Sequence, residues 1–250
     1  MITISILGSG KVAYHLVLNI LEQDNLHLQQ IYARNIHEID NLVNADRIVT
    51  NINDLKPADV FFIAVSDDAI GKVSKSICLK NQLIVHVSGT ISIEAIQNSP
   101  RKGVFYMLQT FSKDRKVDFS QIPFCIEATT TEDFSLLEQI ALCFSEKVYK
   151  INSEQRKAIH LAAVFVNNFT NHMYILGEEI CKENKVPFDI LKPLIAETAN
   201  KINSLSPKNA QTGPAIRNDQ TTIDKHLDLL KNKNYKDIYR IITKSIQNIN

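Results

Sequence analysis

The chain has no tryptophan, only three methionines, and seven glycines and seven prolines in 250 residues. No internal repeat and no low-complexity segment is visible. Its four cysteines, Cys78, Cys125, Cys143 and Cys181, lie far apart and form no C-x-x-C pair. That spacing argues against a zinc site or a disulfide framework and fits a reducing cytoplasm, so no metal is expected. Charge of one sign is also lacking: 28 Lys and Arg against 27 Asp and Glu leave a formal net charge of +1. No basic field exists to attract nucleic acid or an anionic membrane. The opening M-I-T-I-S-I-L-G has no basic stretch followed by a long apolar one, so no signal peptide is apparent. No apolar run reaches the roughly 18 residues of a membrane helix. What remains is 44% hydrophobic and 22% charged, the proportions of a globular protein with a real core.

The first 150 residues alternate strand and helix patterns. Ile2 to Leu7, Leu28 to Ala33, Val60 to Val65, Leu83 to Val87, Val104 to Leu108, Phe124 to Ala128 and Lys147 to Ile151 read as strands. The third and fourth of these are continuous apolar runs, as parallel strands buried on both faces should be. Helical spacing appears from Val12 to Leu21, from Ala69 to Ile77, from Ile91 to Gln97 and from Leu136 to Phe144. This order predicts βαβ units and a doubly wound parallel sheet over residues 1–151. The character changes at Asn152, which with Gln155 makes a capping box. A long helix to about Lys185, a second to about Asn203, a polar loop and two further helices then predict an all-α domain over residues 152–250. Such a domain of about 100 residues is small for shielding its central helix, which predicts a homodimer.

Residues 8–13 read G-S-G-K-V-A, the pattern G-x-G-x-x-A, between a strand and a helix. In that context Gly8 permits the tight turn, Gly10 lets a pyrophosphate approach the backbone and Ala13 lets helix and strand pack. Ser9, Lys11 and Val12 complete a phosphate loop at the positive end of the helix. The second strand ends Y-A-R-N. No acid stands at its tip, where one would hold the ribose of NAD, whereas Arg34 and Asn35 suit the 2′-phosphate of NADP(H). Glu38 or Asp40 folding back to a ribose keeps NAD(H) as the alternative. The next two strand ends carry Ala64, Val65, Ser66 and Asp67, and Ser88, Gly89 and Thr90, at the edge where a dinucleotide lies.

The order of segments resembles the superfamily of pyrroline-5-carboxylate reductase, deazaflavin-dependent NADP reductases and 3-hydroxyacid dehydrogenases. More closely it resembles a bacterial group of NADP oxidoreductases, Rossmann-like with a C-terminal domain of unknown function. Y-M-L-Q-T-F-S at 106–112, H-L-A-A-V-F-V-N-N-F-T-N-H at 160–172 and Q-T-G-P-A-I-R-N-D at 211–219 carry that likeness. Met107 stands where the pattern has proline. The resemblance implies NADP binding and a helical dimer interface, and it implies no particular substrate.

The long helix from Asn152 carries an apolar stripe through Ile159, Ala162, Ala163, Val166, Phe169, Met173, Leu176 and Ile180. At about 100° per residue, His160, Asn167, Asn171 and Glu178 share another face, with Asn168 on its flank. The related hydroxyacid dehydrogenases have K-x-x-N-N on the corresponding helix, with the lysine as proton donor. Aligning that pair on Asn167 and Asn168 puts Val164 at the lysine. His160, one turn earlier, is then the candidate proton donor, with His172 second. By the same analogy Gln109 and Thr110 orient a substrate carbonyl or carboxylate beside Phe111. Thr212 and Arg217 offer anion anchors, although Arg217 could equally pair with Asp219. Two functions follow: an NADP(H)-dependent oxidoreductase for a small carbonyl, imine or acid, or a non-catalytic NADP(H) sensor or scaffold.

Overall fold

A computed structural model describes residues 1–249 of the chain. It divides into two compact units, Met1–Val164 and Phe165–Asn250. The division falls one helix later than the change of sequence character at Asn152.

The first unit is an α/β fold. Its strands are β1 (Ile2–Leu7), β2 (Leu26–Tyr32), β3 (Ile48–Val49), β4 (Val60–Ile63), β5 (Leu83–His86), β6 (Lys102–Met107), β7 (Phe124–Ala128) and β8 (Val148–Lys150). Among the described residues they form one eight-stranded sheet in the order β3-β2-β1-β4-β5-β6-β7-β8. The first six keep the order of a dinucleotide-binding sheet, with the direction of winding reversing between β1 and β4. All neighbours are parallel except β6 and β7, which run antiparallel with Phe105 opposite Ile126. The sheet is therefore mostly parallel, the doubly wound parallel sheet expected, with one antiparallel pair. Among the described residues the connection between β6 and β7 holds only a 3-10 turn, Phe119–Gln121, and no helix crosses the sheet there.

The two faces are sorted by the alternation of side chains along each strand. In β4, Val60 and Phe62 face one core and Phe61 and Ile63 the other. The larger core packs α1 (Lys11–Leu21) and α3 (Thr131–Leu142) against the sheet. An aromatic chain runs through it, with Phe62 and Phe124 flanking Phe105 at ring distances of 5.0 and 5.1 Å. Each such fully buried ring contributes about 1.5–3 kcal/mol. The smaller core lies under α2 (Ile70–Ser76) on the opposite face and includes Ile70, Ile77, Ile84 and Ile96. The helix expected from Ile91 to Gln97 is only a single 3-10 turn, Ile93–Ala95. Ser92 accepts from the Glu94 N–H and Asn98 takes a positive φ of 61°, which holds the segment as a tight turn. The two-residue β3 was not foreseen, because so short an edge strand has no periodicity to read.

The last helix of this unit is α4 (Ser153–Ala163), opened by the predicted capping box: Asn152 accepts from the Gln155 N–H and Gln155 from the Asn152 N–H. Its Arg156 is fully buried. The guanidinium donates to Glu127 on β7 at 2.6 Å, to Ser153 at 3.1 Å and to the Ile91 carbonyl. This charged strut ties α4 to β7 and to the loop after β5.

A π-helical stretch, Val164–Phe169, follows. Its hydrogen bonds run i to i+5, so the 100° step that put His160, Asn167 and Asn171 on one face does not hold across it. The second unit then contains α5 (Thr170–Glu183), α6 (Lys192–Lys201), the single-turn α7 (Pro207–Ala210), α8 (Gln220–Leu229) and α9 (Lys233–Gln247). Lys185, at a positive φ of 58°, ends α5 ahead of Pro187, as helix stop signals predict. Ser206 caps α7 and Asp219 caps α8.

Candidate functional site

The G-S-G-K-V-A turn joins β1 to α1. Gly8 has φ +133°, and a Cβ there would run into the Ala64 carbonyl of the neighbouring strand exit, so only glycine fits. Gly10 is different: nothing lies within 4 Å of where its Cβ would stand. That space opens on a cavity of about 670 Å³ at the β1/β4 reversal. No side chain caps α1, and no acid occupies its first turn. Its first N–H groups and the positive end of its dipole are thus left for an anion. Ser9, Lys11 and Val12 line the cavity with the two glycines, while Ala13 is fully buried beneath, packing the helix onto the sheet.

Arg34 and Asn35 also line the cavity. Arg34 is exposed and makes no ion pair among the described residues. Glu38, the alternative ribose ligand, is instead paired with Lys113, and Asp40 lies 3.7 Å from His37. A bare arginine and an occupied acid make this region electropositive, which suits a phosphate better than a hydroxyl pair. Lys72 of α2 adds a third cation to the wall, beside Lys11 and Arg34, and one with no sequence signature. Taken together, the uncapped helix, the side-chain-free approach at Gly10 and the Arg34 guanidinium fit a dinucleotide phosphate.

Ala64, Val65, Ser66, Asp67 and Ser88 also line the cavity; Gly89 and Thr90 do not. The two loops are clamped together: the Thr90 hydroxyl donates to Asp67 at 2.5 Å, and Ser88 Oγ accepts from the Thr90 and Ile91 N–H groups at 3.1 Å each. Behind them His86 is fully buried, with Nδ1 accepting from the Ser88 N–H and Nε2 set 3.3 Å from the Ser92 carbonyl. Burial, and next the Arg156 charge, push its imidazole down to about 4, so it is a neutral structural bracket at pH 7.

Gly89 faces the other way, toward His160. A Cβ on Gly89 would stand 2.6 Å from His160 Nδ1 and 2.9 Å from the Tyr106 ring. His160 is half-buried, and its Nδ1 lies 3.1 Å from the Tyr106 hydroxyl. The candidate proton donor therefore sits at the exit of β5, in the same unit as the phosphate loop. Tyr106 escaped the sequence reading because it lies inside an apolar strand pattern, where a tyrosine looks like core.

A model of a domain of unknown function, DUF2520, matches residues 122–246. A crystal structure from Bacteroides fragilis, that of a "putative NADP oxidoreductase", is 39% identical with a TM-score of 0.88, and the match covers 98% of each chain. The chain belongs to the DUF2520 family. The sequence resemblance stated above is to this group, and the second and third segments that carried it lie within the matched range. A Thermotoga maritima protein is 23% identical with a TM-score of 0.76, covering 98% of this chain and 96% of its own. An imine reductase from Myxococcus stipitatus, solved with NADP+, shares the fold at 13% identity and a TM-score of 0.67, covering 98% and 91%. Among proteins of curated function, none matches the chain.

Other residues singled out in this DUF2520 sequence are spread more widely. Gln109 and Thr110 are exposed just past β6, with the Gln109 side chain accepting from the Thr110 N–H. Phe111 is part-buried and packs on His15 and Phe119. Asn167, Asn168 and His172 are exposed in the helical unit. Thr212 borders an apolar cavity of about 500 Å³ inside that unit, among Met173, Leu176, Ile180 and Ile242. Arg217 is exposed, and Asp219 is engaged by Thr222, whose N–H and hydroxyl it accepts. Among the described residues no cluster of His, Cys, Asp or Glu could hold a metal, and no helix is long and apolar enough to cross a membrane.

Proposed function

We propose that the chain is an NADP(H)-dependent oxidoreductase acting on a small carbonyl, imine or acid substrate. The observation that carries this reading is the cavity at the β1/β4 reversal, lined by an uncapped helix N-terminus and by Arg34, which makes no ion pair among the described residues. The 39% identical Bacteroides fragilis protein is described as a "putative NADP oxidoreductase", and the imine reductase of the same fold holds NADP+. NADP(H), when bound, supplies the hydride. The chain's own part is to bind, orient and hold a proton. Gly8, Gly10 and the first turn of α1 cradle the pyrophosphate; Arg34, with Asn35, takes the 2′-phosphate. His160 holds the proton, and Gln109 and Thr110 orient the reacting group, with Asn167 and Asn168 as further hydrogen-bonding candidates. The chain works as a homodimer joined through its helical unit, whose apolar side chains are extensively exposed in the single chain.

Titration with NADPH and NADH, followed by ligand fluorescence, tests the reading. Arg34→Ala should weaken NADPH by roughly 10- to 100-fold, the worth of a charge-assisted phosphate contact, and leave NADH nearly unchanged. Failure of wild type to bind either nucleotide sinks the proposal.

A further inference from the structure

We infer that Tyr106 is a positioning residue that donates its phenolic proton to His160 Nδ1 and so fixes the imidazole in its Nε2–H form. The inference rests on the role proposed for His160, but its geometry stands independently. The hydroxyl and Nδ1 are 3.1 Å apart, and the rings meet edge-on at 6.0 Å between centroids.

The direction of the bond follows from what each group has left. Tyr106 is buried on β6, and among the described residues its hydroxyl has no partner except His160. If the phenol accepted from Nδ1–H, its own proton would have no acceptor among the described residues. If it donates, only oxygen lone pairs go unmatched, and unmatched acceptors are tolerated better than unmatched donors. The phenol is also a durable donor: burial pushes it up to about 12, so it keeps its proton throughout the neutral range.

The neutral imidazole then carries its single proton on Nε2. That nitrogen has no hydrogen-bond partner among the described residues, and the side chain is part-exposed. A proton held at a half-open atom is what a donor to a substrate oxygen or nitrogen requires. Gly89 completes the device. Any side chain there would occupy the space of the Nδ1–phenol contact, so the glycine in S-G-T is explained by the dyad rather than by its backbone angles.

The experiment is ¹⁵N NMR of the histidine ring nitrogens in the nucleotide-free full chain, for wild type, Tyr106→Phe and Gly89→Ala. In wild type, His160 should show a protonated Nε2 and an unprotonated, hydrogen-bonded Nδ1. Tyr106→Phe, which keeps the ring and its packing, should shift the Nδ1 resonance and admit the Nδ1–H form. Gly89→Ala should do the same by prising the pair apart. An Nδ1–H tautomer in wild type, or a His160 spectrum identical in wild type and Tyr106→Phe, overturns the inference. NADPH titration of the same samples reports separately on the oxidoreductase reading, so the two can fail independently.

Discussion

The two units of this chain solve burial in opposite ways. The α/β unit fills two cores completely, with Ile4, Phe61, Phe62, Phe105 and Phe124 fully buried. In the helical unit only Ala215 and Ile223, among the described residues, are buried to a comparable degree. Meanwhile Val166 is 75% exposed, Leu229 77% and Ile241 70%. One unit is stabilised from within; the other has amphipathic helices whose apolar faces need a further surface. Helical pattern alone therefore predicts helices, but it does not say where their apolar faces are covered.

Gly8→Ala tests the self-sufficient side of this contrast most severely. The positive φ and the clash with Ala64 should cost about 3 kcal/mol or more, read as a lowered midpoint in urea unfolding. Acid comes next. The His86 imidazole titrates at about 4 in the native chain and near 6.5 when unfolded, so the unfolded state binds the extra proton between those values. Stability is then full above pH 6.5 and falls by up to roughly 3 kcal/mol as the pH drops through 4. The helical unit has no buried histidine among its described residues, so this loss belongs to the α/β unit. On the other side, Val166→Glu with Ile241→Glu should raise the dimer dissociation constant by about 100-fold, seen by light scattering, since each copy would bury unpaired charges. A wild-type chain that is monomeric at micromolar concentration would remove the contrast's explanation. Gly10→Ala should be the mildest in stability, within about 0.5 kcal/mol, because its Cβ meets nothing. Its loss should appear only in nucleotide affinity, separating the ligand-facing glycine of the turn from the structural one.

The α/β unit was legible because its signals are local. Apolar runs with β-branched residues mark β1, β4 and β5, and the G-x-G-x-x-A turn lies between a strand and a helix. The cavity likewise follows from Gly8, Gly10 and Arg34, all read from sequence. What escaped depends on pairs distant in the chain or on unusual hydrogen bonding. Tyr106 meets His160 across 54 residues, and Glu38 is taken by Lys113 across 75, so neither partner is visible in its own segment. The π-helical stretch at Val164–Phe169 holds no glycine or proline to mark it, so the face shared by His160 and Asn167 was drawn with the wrong step. The antiparallel β7 was missed because strand direction is set by the connection and leaves no mark on the strand itself.

The sheet ends in two stubs. Its outermost strands are β3, of two residues, and β8, of three, with Lys147 and Lys150 at the latter. An edge so short and so charged offers too few free backbone groups to recruit a strand from another molecule. The α/β unit is thereby guarded against amyloid-like growth.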